Sequence, residues 1–156
     1  MMIIETPIGA LSALLDDEGR LVELHFDKQS KIGTPPEHRP ATINDSPVAD
    51  QLAEYFSGKR TTFDLKLGLR GTPFQLDVWQ ALRDIPYGDT ISYAELARRI
   101  GKPNAVRAVG AANGANPIPV IIPCHRVIGS NGTLTGYGGG IERKQWLLAH
   151  EGRRLF

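Results

Sequence analysis

Short runs in which apolar and polar residues alternate occupy the first 26 positions. Met2 to Thr6, Ala10 to Leu15 and Arg20 to Phe26 are separated by Pro7 to Gly9 and by Asp16 to Gly19. Alternation with a period of two is typical of half-buried strands, and proline and glycine mark the turns between them. The pattern therefore predicts a small antiparallel meander.

A polar stretch with several prolines follows, at about residues 28–45, and predicts an exposed connection. Asp45 or Ser46 is expected to cap a helix that has Pro47 in its first turn and ends before Gly58. The first half then consists of a sheet packed on one helix.

From about residue 70 the apolar residues recur at helical spacing. Thr72 is expected to cap a helix with Pro73 at its first position, and Ser92 to cap a second helix from Tyr93 to Ile100. The turn Gly101 to Pro103 leads to a third helical stretch, at residues 104–113. Helix, short turn, helix is the outline of a helix-turn-helix.

The third helical stretch carries few side chains that can read base edges. Asn104, Arg107 and Asn113 are the exceptions, and most of the other residues are alanine or glycine. A slim surface with one arginine suits the narrow minor groove better than base reading in the major groove. The alternative is that these small residues pack against another helix.

Cys124 is the chain's only cysteine and lies at the end of the apolar run Ile118 to Val127, which predicts a buried strand. One cysteine cannot close an intramolecular disulfide or assemble a cysteine-rich zinc site. Two interpretations remain, an inert buried thiol and a nucleophile. His125, next in sequence, favours the second.

A glycine-rich loop around residues 136–140 comes between this run and the last helix. Such a loop can fit its backbone closely around a ligand. Residues 142–151 are amphipathic, which predicts a capped helix that ends at Gly152. Trp146, Leu147 and Leu148 are expected to face inward.

Composition and charge limit the size of the core and the kinds of partner that the chain can have. With 156 residues, 41% of them hydrophobic, the chain can bury one core or two small ones. The net charge of +1 conceals 7 Lys/Arg against 11 Asp/Glu in residues 1–69, and 11 against 6 in residues 70–156. The second half is thus the one expected to meet a polyanion such as nucleic acid. With no secretory leader or long apolar run recognised, a cytoplasmic, reducing location is expected.

Taken together, these motifs closely resemble the O6-alkylguanine-DNA alkyltransferases, also called methylated-DNA–protein-cysteine methyltransferases. Pro123-Cys124-His125-Arg126-Val127 is similar to the active-site signature of that family, and the likeness spans about residues 70–156. The first half matches in outline only. Further matches in family order are Asn116-Pro117, Gly136-Tyr137, Trp146-Leu147-Leu148 and Glu151-Gly152.

The resemblance implies an α+β fold in two domains. Residues 1–69 would form an RNase H-like domain, a small antiparallel sheet with a helix. Residues 70–156 would form a mainly helical domain of winged helix-turn-helix type that binds DNA and transfers the alkyl group.

The family's chemistry is a one-way transfer of an alkyl group from O6 of guanine in DNA to the protein's own cysteine, here Cys124. His125 would act as base through a water molecule, because neighbouring side chains of an extended segment point to opposite sides. Glu151 would fix the histidine's tautomer, and Asn116 would hold the water and nearby backbone. The protein would be consumed by the reaction and would need no cofactor.

The resemblance also assigns contacts to the base and to the duplex. Tyr93 would donate a proton to a ring nitrogen of the guanine. Arg107 would enter the minor groove and fill the space of the flipped nucleotide. A structural role for Arg126 is favoured over one in ionising the thiol. The remaining DNA contacts would be Ala108, Ser92, Thr72 and Asn104, and the pocket would be lined by Tyr137, Gly138, Val127 and Pro119.

Alternatives remain open at this point. A DNA-binding protein that senses alkylated bases without repairing them is the nearest, although such relatives replace the cysteine that this chain keeps. A cysteine hydrolase would need an oxyanion hole that no motif indicates. No metal is expected, since the first half offers only His25 and His38 as imidazole ligands. Double-stranded DNA is the expected partner of a monomeric protein, and activity on O4-alkylthymine is left open.

Overall fold

A computed structural model of the protein describes residues 2–27, 29, 30, 32, 47–130, 132, 137 and 139–152. The chain folds as two compact units, Met1–Gly68 and Leu69–Phe156. Each unit has its own buried apolar residues.

The first unit contains a three-stranded antiparallel sheet. Its strands are β1 (Met2–Thr6), β2 (Gly9–Leu15) and β3 (Leu21–Phe26), and β2 lies in the middle. Each strand agrees with the alternating pattern to within one residue, so the predicted meander is confirmed. The sequence pattern missed a parallel bridge between Leu21 and Leu67.

Helix α1 (Pro47–Phe56) completes the described part of this unit. It contributes Val48, Leu52 and Tyr55 to the core. Gly58 follows the helix with a φ of 81°, a left-handed conformation that glycine adopts without steric strain. The predicted end of the helix is therefore confirmed. The predicted caps Asp45 and Ser46, like most of the connection before them, lie outside the described residues.

Four α-helices, a 3₁₀ turn and two short strands make up the described part of the second unit. Their bounds are α2 (Pro73–Arg83), β4 (Ile91–Ser92), α3 (Tyr93–Arg99), α4 (Val106–Gly114), the 3₁₀ turn (Cys124–Arg126), β5 (Val127–Ile128) and α5 (Ile141–His150). Strands β4 and β5 pair in parallel. The small sheet therefore joins the start of α3 to the residues that follow Cys124.

The predicted caps of α2 and α3 are confirmed. Thr72 and Gln75 form a reciprocal capping box at the start of α2, and the Ser92 hydroxyl accepts the backbone N–H of Glu95 at 3.0 Å. Such caps satisfy backbone N–H groups that have no partner within the helix. They fix where each helix begins.

Helices α3 and α4 form the expected helix-turn-helix, with Gly101 at φ 74° in the turn. The start of the second helix was predicted wrongly: it begins at Val106, and Asn104 lies in the preceding turn. The N–H of Ala105 donates to the carbonyl of Lys102 at 2.9 Å, which closes this turn before α4 can start. Trp79 of α2 donates its indole N–H to Ala112 O at 2.9 Å and ties α2 to α4.

The strand predicted over Ile118 to Val127 is wrong. Residues 118–123 form turns, Cys124–Arg126 is a 3₁₀ turn, and only Val127 and Ile128 are extended. Prolines at 119 and 123 explain this, because proline cannot donate to a strand ladder. Val120 even adopts φ 72°, which costs a β-branched residue about 1–3 kcal/mol.

Helix α5 buries Leu147 and Leu148 completely, as expected, and Gly152 at φ 87° follows its end. Two details differ from the prediction. Gly140 precedes the helix and supplies no side-chain cap, and Trp146 is half-buried, stacked on His150 with ring centroids 4.8 Å apart. Within the residues described, no helix combines the length and the apolar character needed to cross a membrane.

Candidate active site

Cys124 opens the 3₁₀ turn and is 6% exposed. Two backbone hydrogen bonds fix the turn around it, from Cys124 N–H to Ile122 O at 2.7 Å and from Arg126 N–H to Pro123 O at 3.0 Å. The sulfur is therefore carried by a rigid loop rather than by a strand.

Burial raises the pKa of the Cys124 thiol to about 11, although a hydrogen bond from Asn116 and the charge of Lys144 act in the opposite direction. The resting group at neutral pH is thus the thiol. A thiolate, not a thiol, is nucleophilic, so Cys124 could act as a nucleophile only with a base that removes this proton.

His125 is fully buried, and its Nε2 lies 2.9 Å from Glu151 Oε2. Burial lowers the pKa of His125, which Glu151 only partly offsets, so the imidazole is neutral at pH 7. An ionised carboxylate only accepts hydrogen bonds, which places the single ring proton on Nε2. Nδ1 is then unprotonated and carries a lone pair. Among the described residues this buried atom has no hydrogen-bond partner.

Glu151 is shared between His125 and Arg126. The Arg126 guanidinium donates to both carboxylate oxygens, at 2.8 and 2.9 Å, and also to Ile85 O at 2.7 Å. Burial alone would raise the pKa of Glu151, but its hydrogen bonds to His125 and Arg126 hold this pKa well below the usual range. Arg126 thus has the geometry of a structural partner, as favoured, and it binds the same carboxylate as the candidate base.

Cys124 and His125 do not lie in an extended segment, contrary to the prediction, because both are in the 3₁₀ turn. Three residues per turn still rotate neighbouring side chains by about 120° from each other. Since Nδ1 has no partner within the described residues, sulfur and imidazole are not hydrogen-bonded directly. A single water is the kind of bridge that such a gap admits.

The side chain of Asn116 forms two hydrogen bonds with the backbone of the loop before Cys124. Its Nδ2 donates to Ile122 O at 2.7 Å, and its Oδ1 accepts the N–H of Ile118 at 3.0 Å. Asn113, which sequence reasoning did not connect with the thiol, donates from Nδ2 to the carbonyl of Cys124 at 3.4 Å. Two asparagine side chains thus hold the backbone on either side of Cys124.

Lys144 is the functional candidate that sequence reasoning missed. Its side chain is fully buried on α5, and Nζ donates to Val127 O at 2.7 Å. A signal existed in the sequence, because Lys144, Leu147, Leu148 and Glu151 follow the i, i+3, i+4, i+7 spacing of one helix face. The inward face of α5 therefore carries charged as well as apolar side chains.

The residues predicted to contact DNA divide into two groups. Arg107, Ala108 and Asn104 are exposed on α4 and the turn before it. Thr72 and Ser92 are helix caps whose hydroxyl oxygens already accept backbone N–H groups. Helix starts of this kind also present N–H groups that suit phosphate.

The residues predicted to bind the base are placed as follows. Tyr93 is half-buried at the start of α3, and a Cβ added at Gly110 of α4 would lie 3.8 Å from its ring. The Tyr137 hydroxyl is buried, and burial holds its pKa well above the usual value, with the charge of Cys124 adding to the effect. Val127 is fully buried in β5, Pro119 is half-buried, and Gly138 lies outside the described residues.

Fold and site together define a class of protein: a helix-turn-helix unit that carries one buried cysteine beside a histidine and a glutamate. Two family models match the chain. The ribonuclease-like domain of 6-O-methylguanine DNA methyltransferase covers residues 2–69, and its DNA binding domain covers residues 73–153. The chain belongs to the 6-O-methylguanine DNA methyltransferase family.

Similar proteins come from bacteria and archaea. The methylated-DNA–protein-cysteine methyltransferase of Salmonella typhimurium is 47% identical over 162 residues, which span 97% of this chain and 95% of that protein. That of Methanosarcina acetivorans is 48% identical over 151 residues, 96% of each chain. A crystal structure of Mycobacterium tuberculosis OGT in complex with DNA is similar with a TM-score of 0.82 at 50% identity, over 96% of this chain and 90% of that one.

Proposed function

We propose that this protein repairs DNA by moving an alkyl group from O6 of guanine to Cys124, one group for each protein molecule. The observation that carries the proposal is the thiol's position beside a buried His125–Glu151 pair whose free imidazole nitrogen can take a proton. Membership of the methyltransferase family supports it.

In the proposed reaction the proton of the Cys124 thiol passes through a water molecule to Nδ1 of His125. Glu151 stabilises the imidazolium, because it is ionised and already hydrogen-bonded to Nε2. Sulfur then attacks the alkyl carbon. The carbon–sulfur bond forms, the carbon–O6 bond breaks, and the bonding pair stays on the guanine, where Tyr93 is the proposed proton donor.

A thioether is the product, and water does not readily cleave it. Nothing in this sequence of steps regenerates the thiol, so each molecule acts once. This distinguishes the proposed chemistry from a cysteine hydrolase, in which water releases the acyl group and the enzyme turns over.

DNA is proposed to bind along α4. Its exposed first turn carries Arg107 and Ala108, with Asn104 just before it, and the second half of the chain is basic overall. Arg107 would fill the space that a rotated nucleotide leaves, since unstacking costs a few kcal/mol. Thr72 and Ser92 would add backbone contacts at their helix starts, and Tyr137, Gly138, Val127 and Pro119 would line the base pocket.

Intact-protein mass spectrometry tests the function. After incubation with a duplex oligonucleotide that contains O6-methylguanine, the protein is expected to gain one methyl in place of one hydrogen and then to stop reacting. Cys124→Ser is expected to stay unmodified while binding the same duplex. Repeated turnover, or unmodified wild-type protein, would reject the proposal.

Arg107→Ala is expected to slow repair of duplex DNA more than reaction with free O6-methylguanine, because only the duplex requires the base to be rotated out. Both rates are measured by the methylated fraction of the protein. Arg83→Ala is the matched control, since it removes an exposed arginine from the last turn of α2 and leaves α4 unchanged. Equal losses on the two substrates would remove Arg107 from the flipping step.

The single thiol also bears on where the protein works. Cys124 must remain reduced to act, so we infer a reducing compartment such as the cytoplasm.

A further inference from the structure

Asn113 is a buried amide side chain to which the reaction steps above give no task. It lies in the last turn of α4 and is 4% exposed, so it is not available for reading DNA, although its residue type would suit that role. Trp79 fixes this end of the helix, because its indole N–H donates to the carbonyl of the preceding residue, Ala112, at 2.9 Å. The packing of α4 on α2 therefore sets the position of the Asn113 side chain.

One half of this amide holds the backbone of the nucleophile. Nδ2 of Asn113 donates to the carbonyl of Cys124 at 3.4 Å, and the N–H of Val127 donates to the same carbonyl. Hydrogen bonds in active sites are often long, as the first of these is, until the substrate binds. The carbonyl of the residue that carries the sulfur thus has one partner within its own loop and one on α4.

The other half of the amide is unsatisfied within the part of the chain that the structure describes, where Asn113 Oδ1 is buried without a hydrogen-bond partner. A buried, unpaired acceptor destabilises a protein, so an apolar side chain would cost the fold less here. Asn116 differs, because both atoms of its amide bind backbone groups. A side chain that lowers stability in this way is expected to serve the reaction.

We propose that Asn113 is a positioning residue for alkyl transfer, which orients the sulfur of Cys124 by holding the carbonyl of the same residue. The inference rests on the proposed function. Asn113 takes no proton and touches neither the alkyl group nor the guanine. The thiol proton still passes to His125, and the electron pair of the broken carbon–oxygen bond still stays on the guanine.

Asn113→Ala tests the inference, because it removes both halves of the amide and leaves a residue that favours helix. Misplacing a reacting atom by 1 Å can slow a reaction about 10²-fold, so losing one of two bonds to this carbonyl is expected to slow methylation about tenfold. The measurement is the single-turnover rate at saturating O6-methylguanine duplex. The duplex concentration that gives half of this rate should not change, and the midpoint of urea unfolding should not fall.

Gln51 on α1 provides the matched control, a buried amide of the first unit in which both halves are bonded. Its Nε2 donates to Asp64 O and its Oε1 accepts the N–H of Asp64, each at 2.9 Å. Gln51→Met leaves both backbone groups without these bonds, so it should lower the urea midpoint. The methylation rate of the folded variant should equal that of the wild type.

Iodoacetamide labelling without DNA shows whether the position of the sulfur alone has changed. Cys124 is the only cysteine, and a small free reagent does not need the sulfur in one orientation. Asn113→Ala is therefore expected to label no more slowly than the wild type. Labelling slowed as much as methylation would assign the residue to ionisation of the thiol and contradict the inference.

The wild type is measured in parallel, so that the two proposals fail in different ways. An unmethylated wild type would reject the proposed function itself. If the wild type is methylated, an Asn113→Ala rate close to the wild-type rate would overturn the inference. Asn113→Leu repeats the comparison without leaving a cavity, and a fall in the urea midpoint of both variants would show that the role of Asn113 is structural.

Discussion

His125→Asn is expected to slow methyl transfer from O6-methylguanine in duplex DNA by about 10²–10⁴-fold at neutral pH, the usual effect of losing a general base. The thiol pKa of about 11 leaves almost no thiolate at rest, so the reaction depends on a base within the site. The measurement is the single-turnover rate, followed as methylated protein by mass.

The pH dependence of this variant separates a lost base from a damaged fold. Without an internal base, hydroxide must remove the thiol proton, so the rate should rise about tenfold per pH unit up to the thiol's pKa. His25→Asn is the control, since His25 is exposed on β3 and pairs with Glu23. A His125→Asn rate within a factor of a few of the wild type would exclude His125 as the base.

Glu151→Gln is expected to lower the free energy of unfolding by about 3–5 kcal/mol, because the buried guanidinium of Arg126 then has no counter-charge. Urea denaturation measures the change. Arg126→Met combined with Glu151→Gln should recover part of the loss, since the unpaired charge is removed as well.

A half-buried glutamate at the surface provides the matched control for this prediction. Glu95 on α3 pairs with Arg98 and Arg99 at the surface, where solvent screens the interaction, so Glu95→Gln should change stability little. Equal effects of Glu151→Gln and Glu95→Gln would show that the buried network does not stabilise the fold.

The hydrogen-bonded group of His125, Arg126 and Glu151 also determines how the stability of the fold changes at acid pH. The folded pKa of Glu151 lies below its ordinary value of 4.5, so its contribution is complete above that value and is lost as pH falls through the folded pKa. His125, whose folded pKa is also lowered, adds a loss of the same sign below its ordinary value of 6.5. Glu151→Gln should therefore flatten the fall in stability below about pH 4.5.

Much of the fold could be predicted where local signals act alone. The alternation of β1 to β3 and the caps at Thr72 and Ser92 depend on neighbours within a few residues, and the structure has them where the sequence indicates. The prediction of a strand over residues 118–127 was wrong because apolar residues indicate burial only. A buried loop that contains prolines can have the same apolar pattern as a strand.

The sequence predicted which residues form the candidate site better than it predicted the hydrogen bonds between them. Cys124, His125 and Glu151 were identified through family resemblance, yet the bidentate bond from Arg126 to Glu151 joins residues that are 25 positions apart. Lys144 was missed because a lysine in an amphipathic helix is usually assigned to the solvent side, whereas its spacing to Leu147 and Leu148 places it inside. Such long-range contacts leave little trace in a single sequence.

Burial of the sulfur has a further consequence for a molecule that can act only once. Any stray cellular electrophile that found an ionised thiol would inactivate the protein without a lesion having been removed. Because burial raises the pKa of Cys124 to about 11, the sulfur is a thiol at neutral pH, and spontaneous inactivation is slowed. The stock of intact protein is thereby preserved until damaged DNA arrives.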